Sequence, residues 1–194
     1  MEMKAPRVRL EPWSEGDLGL LRAGNAPELM THLGGPETED QLLARHHRYV
    51  TLSADRTGKG RMFRIVLLPD GEPVGNTGFW ETTWQGQDVY ETGWGVLGEF
   101  QGRGLAVAAT KAVVERARAE RKHRCLMAYP SVGNGASNAV CRKAGFELLG
   151  ESDFEYPVGH MMRCNEWRLD LEAGLQADLA AGVEAEPEAG VEAE

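Results

Sequence analysis

Polar and apolar residues alternate through Arg7-Val8-Arg9-Leu10-Glu11, a period of two that predicts a strand stopped by Pro12. Ser14 and Asp17 stand at capping-box spacing, and Leu18, Leu20 and Leu21 predict a short helix after them, broken by Asn25-Ala26-Pro27. After a loop at Leu33–Pro36, Pro36 and the acids Glu37, Glu39 and Asp40 open a second helix that runs to about Leu52. A meander of three strands follows. Met62–Leu68 and Pro73–Trp80 flank the turn signal Pro69-Asp70-Gly71-Glu72, and Val89–Val96 is the third member. Leu105, Ala108, Ala109, Ala112, Val113 and Ala117 then recur at helical spacing over Leu105–Arg121. Arg124–Tyr129 reads as a strand ended by Pro130, and Ala136–Ala144 as a helix with Gly145 at its C′ position. Phe146–Gly150 and Arg163–Leu171 read as the last two strands. Strands and helices are thus mixed along the chain.

The pattern lapses after Leu171. Ala181-Gly182-Val183-Glu184-Ala185-Glu186 recurs as Ala189-Gly190-Val191-Glu192-Ala193-Glu194, an acidic repeat with few large apolar residues. Such a segment cannot bury enough surface to offset its ordering entropy, so residues 172–194 are expected to be a disordered tail or a frayed helix, not a second domain. The chain of 194 residues then divides into one domain, residues 1–171, and this appendage. Glu172–Glu194 holds seven acids and no Lys or Arg, so it carries −7 of the net −9 and leaves −2 for the body. A nearly neutral body argues against general nucleic-acid binding. No apolar run is long enough to span a bilayer, and the first residues lack a secretory apolar core, so a cytoplasmic location is expected. Cys125, Cys141 and Cys164 are far apart, without zinc spacing or an even count, and read as small apolar fillers.

The most informative stretch is Gly98-Glu99-Phe100-Gln101-Gly102-Arg103-Gly104-Leu105-Ala106, which puts three glycines in seven residues between a strand and a helix. A P-loop would need Lys-Ser/Thr after its last glycine, and a dinucleotide fingerprint would need a third small residue where Val107 stands. A third reading starts from the helix that begins at Leu105. Its first N–H groups have no partners within the helix, its dipole end is positive, and the loop amides can form an anion nest. With Gln101 and Arg103 as further donors, such a loop suits a pyrophosphate; the alternative is a turn without a ligand.

Gln101-x-x-Gly104-x-Ala106 resembles the acetyl-CoA motif of the GNAT family of N-acetyltransferases. Downstream, the run from Asn134 through Ala136, Ser137 and Val140 to Gly145-Phe146 resembles a second signature of that family, most similar in the branch of ribosomal-protein N-terminal acetyltransferases. Upstream, Glu91-Thr92-Gly93-Trp94 resembles the fourth strand of that branch. The resemblance spans about residues 6–171. It implies a mixed, mostly antiparallel twisted sheet of six to seven strands with about four flanking helices, splayed between strands 4 and 5. It also implies acetyl-CoA as cosubstrate, no metal, and direct transfer to an amine.

By the same resemblance, the pantetheine chain would pair with the strand edge about Trp94 and Val96. The pyrophosphate would meet Gln101, Gly102, Arg103, Gly104, Leu105 and Ala106. Asn134 would orient the pantetheine or cap its helix, and Arg142 would meet the nucleotide phosphates or lie on a solvated helix face. Glu91 is the candidate general base, against an ordinary strand carboxylate. Ser137 is the candidate partner for the departing thiolate, against a helix cap, with Tyr129 a lesser one. The acceptor site would draw on Met30–Glu37 and Asp153–Arg163, with a protein N-terminal amine as first candidate and a small-molecule amine, antibiotic or metabolite, as the other. An acetyl-CoA sensor without catalysis is the reading from outside enzymology. A monomer or homodimer is expected, with no membrane partner. His46-His47 point apart on a helix and suggest no metal site. Trp80, Trp84 and Trp94 suit core or rim positions, and the basic run Arg116–Arg124 suits a solvated helix face.

Overall fold

The computed structural model describes residues 7–156 and 159–173. Its strands are β1 (Val8–Pro12), β2 (Gly60–Leu67), β3 (Glu72–Trp84), β4 (Gln87–Val96), β5 (Cys125–Ala128), β6 (Glu147–Glu155) and β7 (Met161–Asp170). Its helices are α1 (Leu18–Ala23), α2 (Glu39–Ala54), α3 (Leu105–Glu120) and α4 (Gly135–Ala144). The strands form one sheet in the order β1-β2-β3-β4-β5-β7-β6. Every neighbouring pair is antiparallel except β4–β5. This is the mixed, mostly antiparallel architecture expected, with seven strands and four helices. The acidic tail expected to be disordered lies almost wholly outside the described residues. Among the described residues, no helix is long and apolar enough to cross a membrane.

Strand alternation divides the sheet into two faces. Phe63, Ile65, Phe79, Tyr90, Leu126, Trp167 and Leu169 point to one side and pack with Leu105, Ala109, Val113 and Ala117 of α3 into the larger core. On the other side Trp13, Leu21, Leu42 and Met62 form a smaller core under α1 and α2, with Tyr49 and Trp80 packed against it. Along β4, Tyr90, Trp94 and Val96 belong to the first face, so Glu91 and Gly93 turn to the second. A Cβ on Gly93 would stand 3.2 Å from the Trp80 ring, which fixes the side on which that tryptophan lies.

Several boundaries move for identifiable reasons. The second helix starts at Glu39, not at Pro36, because Thr38 caps it: its Oγ1 accepts from the Gln41 N–H, and the Gln41 side chain accepts from the Thr38 N–H. The β3–β4 hairpin runs on to the pair Trp84↔Gln87, past the predicted end at Trp80. Likewise β6 continues beyond Gly150 to Glu155, paired with β7, so the first part of the Asp153–Arg163 segment is strand rather than loop. Two ion pairs reward that extension, since Arg163 reaches both Glu151 and Asp153 on the neighbouring strand.

The start of α4 is held by one buried side chain. The Asn138 amide donates to the carbonyls of Ser131 (2.9 Å) and Asn134 (2.8 Å). Its Oδ1 accepts from Asn165 Nδ2 (2.7 Å) and from the Trp167 indole (2.9 Å). One asparagine therefore ties the loop after β5 and the first turn of α4 to β7. Asn138→Leu is expected to destabilise the domain by about 2–4 kcal/mol, because buried donors and acceptors lose their partners together. Urea unfolding checks it; a loss below about 1 kcal/mol would remove Asn138 as the tie.

Candidate active site

Among the described residues, the one parallel contact in the sheet is two residue pairs long, Tyr90↔Leu126 and Glu91↔Met127. Beyond it β4 follows β3 as far as Gly75↔Val96. On the other side, the chain leaving β5 stays with β7: Asn165 N–H donates to the Pro130 carbonyl (2.9 Å) and Val132 N–H to that of Arg163 (3.0 Å). The strands therefore part immediately after Glu91 and Met127. The expected splay between strands 4 and 5 is present, and the Thr92–Val96 edge of β4 is left without a strand partner on that side.

The glycine loop sits at the end of that open edge. Gly102 and Gly104 both have positive φ, +73° and +78°. In this left-handed region a β-carbon would be strained, which is why glycine is needed at the turn into α3. Gly104 occupies the N-cap and brings no side chain to it, so the amides of Leu105, Ala106 and Val107 open α3 uncapped. The first bond along the helix is Ala108 N–H to Gly104 carbonyl, 3.1 Å. Gln101 Nε2 donates to the Val96 carbonyl at 3.0 Å and ties the loop to the last residue of β4. Arg103 lies over the Phe100 ring, 5.2 Å from its centroid, and donates to the Glu99 carbonyl. Free amides with a positive dipole end fit a pyrophosphate, and an open strand edge fits the amides of a pantetheine arm.

Glu91 stands where the strands part, half-buried on the face toward α1 and α2. Burial pushes its pKa up from 4.5 to about 7, and the Trp80 side chain, on its direct partner across β3–β4, pulls the other way. A carboxylate near 7 is poised to take a proton at neutral pH. Tyr129 follows β5 on the same face, stacked on Phe154 with centroids 4.7 Å apart. Burial and the charges of Glu91 and Glu166 push its ionisation well above the usual range, so the phenol stays a proton donor. Cys164 is buried there too, its thiol pushed up to about 11 by burial and by Glu91.

The remaining sequence-predicted residues divide. Asn134 caps α4, accepting from Ser137 N–H at 3.0 Å, so the capping role weighed for Ser137 belongs to Asn134. Among the described residues the Ser137 hydroxyl makes no hydrogen bond. Trp94 and Val96 turn their side chains to the larger core and offer the site backbone only. Arg142 lies in the last turn of α4, at the end opposite Asn134, with its guanidinium 5.9 Å from the Trp167 ring. His46 is buried and accepts from the Trp13 indole at 3.1 Å. Among the described residues no group of three or more His, Cys, Asp or Glu could hold a metal.

A sequence profile described as an acetyltransferase (GNAT) domain matches residues 7–147, most of the chain. The chain belongs to the GNAT acetyltransferases. Among solved structures, a GNAT acetyltransferase from Bacillus anthracis superposes with a TM-score of 0.69 at 20% identity, covering 89% of this chain and 99% of its own. A spermidine N-acetyltransferase from Vibrio cholerae, in complex with CoA and spermine, gives 0.68 at 15% identity, covering 87% and 98%. A Salmonella typhimurium acetyltransferase that modifies the N-terminal serine of ribosomal protein L7/L12 gives 0.68 at 20% identity, covering 84% and 94%. A search of curated protein sequences finds no match. At these identities the likeness is one of fold.

Within this GNAT domain, the glycine loop and Glu91 stand out in the sequence, whereas what surrounds the carboxylate does not. Trp80, paired with it across β3–β4, and Cys164 on the same face depend on strand register. The available signal was parity: with β7 level with β5, alternation puts Met127, Tyr129, Glu166 and Cys164 on one face.

A carboxyl whose folded pKa lies above its unfolded value costs stability as pH rises from about 4.5 through 7, since the unfolded chain gives up the proton first. Glu91→Gln, which keeps the shape without the charge, should therefore raise the melting temperature above that of the parent at pH 8, with the gain shrinking toward pH 5. Calorimetry at the two pH values tests this; an equal effect at both would place the Glu91 pKa near its ordinary value.

Proposed function

We propose that this protein transfers the acetyl group of acetyl-CoA directly to a primary amine, with Glu91 as the general base, and that a protein N-terminal α-amine is the first candidate acceptor. The observation that carries this reading is a half-buried carboxylate of pKa about 7 at the point where β4 and β5 part, beside an open strand edge that ends in the glycine loop. Bound acetyl-CoA would supply the thioester. Leu105 and Ala106 amides, with those of Gly102 and Gly104, would hold the pyrophosphate, and the Trp94–Val96 backbone would pair with the pantetheine arm. Gln101 and Asn134 would keep the two ends of that channel in place, through Val96 and the first turn of α4.

In the proposed step the amine nitrogen forms its bond to the acetyl carbon, its proton passes to Glu91 directly or through water, and the carbon–sulfur bond breaks. The sulfur leaves as a thiolate that needs a proton or a hydrogen bond. Ser137, whose hydroxyl is otherwise unused, and Tyr129, whose phenol is kept neutral, are the two donors at hand.

The base strength favours α-amines. At pH 7 an α-amino group of pKa about 7.7–8.0 is neutral roughly 10% of the time, whereas a lysine side chain is neutral in about one molecule in 2,500. A base near 7 meets the first demand without further help. Similarity of fold to enzymes named for a ribosomal N-terminal serine and for spermidine supports amine acetylation in general.

Thiol release from acetyl-CoA across a panel of N-terminal peptides and small amines tests the reading. We expect turnover with kcat/KM rising on an acidic limb near pH 7, and a drop of about 10²–10⁴-fold at pH 8, with loss of that limb, in Glu91→Gln. Tight CoA binding with no acceptor raising thiol release would instead mark a sensor. Gly104→Val should weaken CoA binding by tenfold or more, because a β-branched residue strains the left-handed N-cap; unchanged binding by calorimetry would move the pyrophosphate elsewhere.

A further inference from the structure

Glu166 is a second carboxylate on the face that carries Glu91, and the proposed reaction gives it no part. The β5–β7 register pairs Met127 with Arg168 and Ala128 with Trp167, so Tyr129 falls level with Glu166. The Asn165-to-Pro130 hydrogen bond, 2.9 Å, keeps the two chains adjacent at that point. Glu166 is half-buried, and among the described residues it makes no ion pair and no side-chain hydrogen bond. The basic residues beside it on β7 are engaged elsewhere: Arg168 with Glu147 at 2.9 Å, and Arg163 with Glu151 and Asp153. Aromatic surface flanks the carboxylate, with Tyr129 stacked on Phe154.

An unpaired, partly buried carboxylate next to aromatic rings in a cleft is a cation seat, since both the charge and the ring faces attract a positive group. Glu166 stands at a separate place in the sheet from Glu91. β4 and β7 are two strand spacings apart, and Glu166 lies two residues along β7 from the position level with Glu91, which separates the two backbones by about 12 Å. The displacement runs toward the side on which β4 and β5 open.

We propose that Glu166 is a specificity-determining residue that pairs with a second positive charge on the acceptor, so that the preferred acceptors carry one cationic group besides the amine that reacts. In a peptide that charge would be a Lys or Arg one or two residues after the α-amine; in a small molecule it would be the far amine of a diamine. The inference rests on the amine-acetylation reading above and adds the chemical class of acceptor.

The test measures kcat/KM with acetyl-CoA for three peptides alike except at the second residue: Ser-Lys, Ser-norleucine and Ser-Glu. Cadaverine and pentylamine form a second arm. The wild type should favour Ser-Lys over Ser-norleucine by tenfold or more, mainly through KM. Glu166→Lys should reverse the order and favour Ser-Glu, while Glu166→Asp keeps part of the Lys preference. A fold defect cannot produce that reversal, since it lowers all three rates together. Cadaverine favoured over pentylamine, with the peptides unused, supports the same seat with a small dicationic acceptor. Equal rates for Lys and norleucine peptides, or one common factor of loss in Glu166→Lys, overturns the inference and leaves acetyl transfer standing. No acetylation of any acceptor overturns the transfer reading and this inference with it.

Discussion

The site depends on two strands being pulled apart from opposite sides. β4 and β5 share only Tyr90↔Leu126 and Glu91↔Met127, and each then follows its outer neighbour. β4 is held by ten pairs to β3, and the approach there is so close that a Cβ on Gly75 would come within 2.0 Å of the Gly95 carbonyl. The chain after β5 is held by β7, through the Pro130 and Val132 backbone and through Asn138. Neither strand can close the gap without giving up bonds on its far side. The opening is therefore built into sheet pairing, and needs no ligand to wedge it.

Each functional group inherits its place from that parting. The β4 edge is open because β5 has left it. Glu91 is desolvated because it sits at the vertex, against Trp80 and the smaller core, and the same desolvation gives it a pKa about 7 at a cost in stability. The glycine loop begins where β4 runs out, and Gln101 fastens the loop to Val96. A carboxylate one strand position earlier or later, at Tyr90 or Thr92, would turn to the larger core.

What was legible in the sequence follows the range of the interaction. The loop from Gln101 to Ala106 is a local device, glycines followed directly by helix, and it could be read residue by residue. So could α3 and α4, whose apolar spacing is strong. The end of β6 was not, because Ser152-Asp153-Phe154-Glu155 is mostly polar, and what favours strand there comes from across the sheet: pairing with β7, the Arg163 ion pairs and the stack of Phe154 on Tyr129. Thr38 as a cap was hidden behind Pro36, a residue that also suits a helix start. Asn138 lay inside a recognised signature, yet its partners Asn165 and Trp167 are nearly thirty residues away, and nothing near it in the chain marks them.

The two faces of the sheet also explain why the motifs speak of one substrate and not the other. The loop, α3, α4 and the inward side chains of Trp94 and Val96 share the larger core, so sequence in that half is constrained by packing and, in the proposed reading, also by the backbone geometry a pyrophosphate would require. The opposite face, on which the smaller core of α1 and α2 also packs, carries Glu91, Tyr129, Cys164 and Glu166. Side chains there can change charge and size without disturbing Gly104 or the β4 edge. On the proposed reading, recognition of the amine is thus physically separable from the grip on acetyl-CoA. A chain of this fold can keep one half legible as a motif while the other half is written only in strand register and unpaired charge.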